Sequence, residues 1–98
     1  MKLPEECENL MDIRKEIDDL DKTIIELLGK RFLYVKSATK FKSSETSVKA
    51  PERFKAMLIQ RREWAAEYGL SPDAIEKMYD DLVNHFIQEE LKLWKKNV

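Results

Sequence analysis

The sequence predicts an all-α protein of three helices with a very long first helix. Three observations carry that expectation. The 98 residues include only two glycines and three prolines. Apolar residues recur at three- and four-residue steps over long stretches, the period of an amphipathic helix. No run alternates apolar and polar residues in the way a half-buried strand does.

The first helix is expected from about Cys7 to about Phe41. Leu10, Ile13, Ile17, Leu20, Ile24, Leu27 and Leu28 form its stripe, and Gly29 is its only glycine. The next stretch, Lys42 to Ala50 (KSSETSVKA), is polar and rich in Ser and Thr, and reads as a mobile loop. Pro51 stands where a first helical residue tolerates proline, opening a helix to about Tyr68 that Gly69 ends. Ser71-Pro72-Asp73 repeats the start signal as cap, proline and first-turn acid. The last helix carries Ile75, Met78, Leu82, Val83, Phe86, Ile87, Leu91 and Trp94.

Length allows one domain, residues 1–98. A first helix of some 35 residues would be about 50 Å long, whereas a compact chain of this size has a radius of gyration of about 13 Å. Two shorter helices cannot cover such a rod, so pairing of two chains along their long helices is the expected architecture. A domain-swapped or coiled-coil assembly is the neighbouring alternative.

Composition narrows the function. Charged residues are 38% and hydrophobic residues 43% of the chain, so it is neither disordered nor membrane-like. A net charge of −1 gives no general attraction to nucleic acid or acidic membranes. A single cysteine, Cys7, cannot form an intrachain disulfide, which fits a reducing, cytoplasmic location. No apolar run approaches the ~18 residues of a spanning helix, and no signal-peptide core is evident. There is no Gly-rich phosphate loop, CxxC or HExxH, and His85 is the only histidine. No metal and no cofactor is expected. Cys7 and His85 read as structural or surface residues.

The remaining chemistry lies in cations beside the apolar stripes. Arg14 follows Ile13, and Arg31 follows Leu27 by four. Arg31, Val35, Ala38 and Lys42 step by four, three and four, so they share one helix face. Val35 and Ala38 are short, leaving a hollow that two long cationic side chains, about 16 Å apart in rise, can close over. That hollow suits a small anion with a carboxylate at each end; snorkelling surface cations are the plainer reading. Glu90 follows Val83, Phe86 and Ile87 by seven, four and three, and precedes Trp94 by four. A carboxylate in an apolar stripe must be paired or protonated, and a simple ion pair with one of these cations is the alternative.

PEEC at Pro4–Cys7, DIRKEID at Asp12–Asp18 and GKR at Gly29–Arg31 resemble the isochorismate-pyruvate lyases of the all-α chorismate mutase type II fold. YVKSATKFK at Tyr34–Lys42, APER at Ala50–Arg53 and IQEELKLW at Ile87–Trp94 extend the resemblance along nearly the whole chain. The resemblance implies an intertwined homodimer with two pockets, each built mostly from one chain and receiving Arg14 from the other. Helix geometry agrees, since Arg14 and Arg31 lie about 25 Å apart on one straight helix.

By the same resemblance Arg14 and Arg31 bind the substrate carboxylates, and Lys42 contacts the ether oxygen and a carboxylate. Arg53 supports the anion, Glu90 meets the ether oxygen from the other side, and Val35, Ala38, Met57 and Ile87 form the apolar wall. The implied reaction converts isochorismate to salicylate and pyruvate, with salicylate available to siderophore synthesis. Chorismate mutase is the nearest alternative. Phe54 and Ala50 stand where mutases often carry acids, which favours the lyase. The lyase pattern usually has glutamine at position 90. Glu90 departs from it, and a glutamate donates a hydrogen bond only when protonated. A non-enzymatic helical scaffold is the third reading.

Overall fold

The computed structural model describes residues 1–96. Its helices are α1 (Leu10–Ala38), α2 (Glu45–Lys49), α3 (Pro51–Glu67) and α4 (Pro72–Lys96), with 3-10 turns at Pro4–Glu6 and Thr39–Phe41. No strand occurs among the described residues. The all-α class and the long first helix are as expected. The chain divides into two compact units, Met1–Tyr34 and Val35–Val98.

In the first unit, α1 begins three residues later than expected because Asn9 caps it. Its Oδ1 accepts the Asp12 amide at 2.9 Å, satisfying one of the donors a helix start leaves free. Asp12 reaches back and accepts the Glu8 amide and the Lys2 ammonium, each at 3.1 Å. Those bonds hold its carboxyl below the usual carboxylate range, the backbone donor contributing most. Cys7 sits in extended backbone just before the cap, with its thiol donating to the Leu3 carbonyl at 3.7 Å. No residue of α1 is buried. Ile17, Leu20, Ile24 and Leu27 each remain about half exposed.

The second unit has its own core. Here α3 and α4 form an antiparallel hairpin, with α2 and the Thr39–Phe41 turn packed on α4. Val48, Met57, Ala65, Val83 and Leu91 are its buried apolar residues. The hairpin corner is specified locally. Gly69 takes the left-handed conformation at φ 75°, where glycine has no Cβ penalty. The Leu70 amide donates to the Ala65 carbonyl at 2.8 Å and the Gly69 amide to Ala66 at 3.2 Å, closing α3 in a Schellman motif. Ser71 then caps α4, its Oγ accepting the Ala74 amide at 3.2 Å. Across the corner Arg62 bonds Asp73 at 2.7 Å and lies 3.6 Å from Glu76.

The segment expected as a mobile loop, Lys42 to Ala50, instead contains α2. Ser44 and Ser47 cap it reciprocally: the Ser47 amide donates to Ser44 Oγ at 3.1 Å, and the Ser44 amide to Ser47 Oγ at 3.0 Å. This is a capping box with serine in place of the usual Glu or Gln. Burial of Val48, 2% exposed, fastens the segment to α4. Ala50 ends it at φ 41°, ψ 60°, a left-handed conformation that costs a non-glycine residue roughly 1–2 kcal/mol.

Candidate active site

The long helix carries two of the expected cations in the first unit. Arg14 is exposed and Arg31 half-buried. Val35 and Ala38, half-buried at the end of α1, belong to the second unit with Lys42, Arg53, Met57, Ile87 and Glu90.

Lys42 is held at every polar group. Thr39 Oγ1 donates to the Lys36 carbonyl at 2.7 Å, and the chain tightens from α-helix into the Thr39–Phe41 turn. The Lys42 amide closes that turn on the Thr39 carbonyl at 3.1 Å. Its own carbonyl accepts the Trp94 indole N–H at 3.1 Å, a bond linking residues 52 apart. Its ammonium donates to the Ser47 carbonyl at 2.9 Å, one of the carbonyls that the end of a short helix leaves unsatisfied. An ammonium has three donors, so this contact restrains the Lys42 head while leaving it able to bind an anion.

Glu90 lies one turn before Trp94 on α4 and is 5% exposed. Burial pushes its carboxyl above the usual range, and the Lys42 ammonium opposes that shift. The ammonium donates to Ser47 at 2.9 Å while its charge also acts on the Glu90 carboxyl. A buried carboxyl that holds its proton more tightly than usual thus lies near a restrained cation.

The expected wall residues differ in setting. Met57 is buried in the α3–α4 core at 3% exposure. Ile87 is half-buried and lines an open cleft of about 360 Å³ with Lys49, Pro51, Phe54, Asn84 and Gln88. Arg53 is exposed in the first turn of α3. Phe54 therefore puts an apolar ring, and Asn84 and Gln88 uncharged amides, into this cleft.

Sequence reasoning missed the Trp94–Lys42 and Lys42–Ser47 contacts. The available signal for the first was a tryptophan on the Glu90 face, since a half-buried indole N–H generally finds an acceptor. His85 is exposed beside the Phe86 ring, with centroids 5.9 Å apart. Among the described residues, no group of His, Cys, Asp and Glu is placed to hold a metal ion. No helix among them is long and apolar enough to cross a membrane.

Two arginines on the long helix, and in the second unit a restrained lysine before α2 and a buried carboxyl on α4, are the charged groups of note. The family described as chorismate mutase type II matches residues 13–91, and the chain belongs to that family. It is 44% identical over 95 residues to the isochorismate pyruvate lyase of Pseudomonas aeruginosa, covering 97% of this chain and 94% of that protein. The T-protein of Haemophilus influenzae is 41% identical over 83 residues, 84% of this chain but 21% of its own length. The T-protein of Enterobacter agglomerans is 38% identical over 68 residues, 68% of this chain and 18% of its own length.

Proposed function

We propose that this chain is an isochorismate pyruvate lyase acting as a homodimer in the cytoplasm. The observation that carries the reading is the similarity to a lyase of nearly the same length over almost the entire chain. The placement of Lys42 and Glu90 supports it.

In the proposed reaction a ring hydrogen of isochorismate moves to the methylene carbon of the enolpyruvyl side chain as the ring carbon–oxygen bond breaks. The ether oxygen becomes the keto oxygen of pyruvate, and the ring becomes the aromatic ring of salicylate. The step needs no nucleophile, metal or cofactor. The protein's work is to hold the folded conformer and stabilise charge building on the ether oxygen. Lys42 and protonated Glu90 donate to that oxygen. Arg31, supported by Arg53, and Arg14 of the second chain bind the two carboxylates, for which forked guanidinium groups are suited. Val35, Ala38, Met57 and Ile87 supply the apolar wall.

The apolar stripe of α1, half exposed in one chain, supports the dimer. A second copy would cover it and bring Arg14 into reach of the other chain's pocket. Family membership also favours a second activity, chorismate mutase, because the same cations can fold chorismate. Phe54 and Ala50, where mutase acids often lie, make that the minor activity.

The test is a parallel assay of the purified protein, following salicylate fluorescence from isochorismate and prephenate from chorismate. Fast salicylate release with slow prephenate formation is expected. Prephenate alone would make the chain a mutase, and neither product would leave a helical scaffold.

A further inference from the structure

We infer that Trp94 is a positioning residue for catalysis, acting through the backbone of Lys42. The inference rests on the proposed function and adds to it a residue that acts through the Lys42 backbone. Lys42 stands at a junction: the Thr39–Phe41 turn ends on it, and the segment carrying α2 starts immediately after it. Such a position inherits the motion of whatever is least tied down. Three hydrogen bonds restrain it, and two are local, to Thr39 and to Ser47. Of the three, only the bond from the Trp94 indole to the Lys42 carbonyl, at 3.1 Å, comes from a distant element among the described residues, beside the packing of the Thr39–Phe41 turn and α2 on α4.

The anchor sits where the chemistry needs it. Trp94 and Glu90 are four residues apart on α4, and so lie on the same face. One helix turn therefore carries the buried carboxyl and the donor that fixes the lysine opposite it. A single rigid element thus sets the spacing between two groups that act on one oxygen, and small displacements of such groups are costly. Val48, buried against α4, holds the far side of the same segment by packing alone. Packing restrains position without fixing orientation, whereas a directional N–H bond fixes both.

The experiment compares Trp94→Phe, which keeps an aromatic ring and removes the donor, with the native chain and with Trp64→Phe as control. Trp64 lies on α3 under the Arg61 guanidinium, outside the proposed site. Trp94→Phe is expected to lower kcat for salicylate formation about tenfold with KM changed less than about threefold, as a loosened transition-state contact should. In a Lys42→Ala background the same substitution should change the residual rate less than about twofold, because residues acting as a unit are not additive. Equal fractional losses in both backgrounds, or an unchanged kcat, would overturn the inference.

A second readout needs no substrate. Hydrogen exchange at the Ser47, Val48 and Ala50 amides, which are hydrogen-bonded within the α2 segment, should quicken in Trp94→Phe while α4 amides stay as they were. Exchange unchanged there removes the anchor whatever the kinetics. A native chain inactive on both isochorismate and chorismate overturns the proposed function and the catalytic role together. In that case the exchange result alone decides whether Trp94 orders the segment.

Discussion

The long helix α1 and the last helix α4 carry similar apolar patterns and end in opposite conditions. The stripe on α4 is met within its own chain: Val83 and Leu91 are buried, and α3 and α2 pack against the helix. The stripe on α1 is also plain in sequence, yet no residue of α1 is buried. A half-exposed Leu or Ile forgoes on the order of 1 kcal/mol of the burial free energy available to it, and α1 carries a row of them. An amphipathic pattern therefore marks a face that favours burial, and says nothing of what would cover it.

The largest test of that contrast mixes two inactive chains. Arg14→Ala and Lys42→Ala should each lose about 100- to 1,000-fold in kcat or kcat/KM. If Arg14 serves the other chain, co-refolding equal amounts restores one intact pocket in each mixed dimer, about a quarter of native activity. No recovery of salicylate formation would place Arg14 outside the shared pocket.

Stability should separate the two regions next. Leu91→Ala cuts a cavity in the hairpin core and should cost about 2–5 kcal/mol in denaturant unfolding at any protein concentration. Leu20→Ala on α1 should cost less, and its midpoint should rise with protein concentration, the signature of a face covered by association. A Leu20→Ala midpoint independent of concentration would detach α1 from any dimer.

Glu90 gives a pH dependence confined to the hairpin. Its folded carboxyl is raised above the ordinary 4.5 by burial. Its protonation thus stabilises the folded state fully below that ordinary value, and this contribution is lost as pH rises through the folded value. Activity should fall over the same rise as Glu90 ceases to be a donor. Glu90→Gln should flatten both profiles, and a variant that kept the native acid limb would reassign it to another group.

The smallest expected effect is on α1 again. A methyl at Gly29 would meet no atom within 4 Å, so Gly29→Ala should stabilise the helix by about 0.5–1 kcal/mol. A loss of stability would reveal a close neighbour from another chain at that point.

What could be read from sequence follows the same division. The hairpin ends were legible because caps are local: Pro51 opens α3, Gly69 closes it and Ser71 starts α4. The end of α1 was overrun by three residues, since the apolar period continues while Thr39 turns its hydroxyl onto the Lys36 carbonyl. The α2 segment was less legible, because serine-rich composition reads as loop whereas two of these serines, three apart, cap a helix. Lys42 and Glu90 were legible as a cation and a carboxylate beside apolar stripes. The Trp94 bond to Lys42 was not, because it joins residues 52 apart and no local spacing encodes it.

The uncovered stripe of α1 also bears on the chain's synthesis. This helix leaves the ribosome before α3 and α4, and at about 5–20 residues per second several seconds pass before the hairpin exists. During that interval its leucines and isoleucines have no partner from their own chain. Lys15, Glu16, Asp18, Asp19, Asp21 and Lys22 interrupt them, breaking the long uncharged runs on which nascent chains stick together. Charges that pair locally on the finished helix, such as Lys15 with Asp19, thus also break up its apolar runs in the nascent chain.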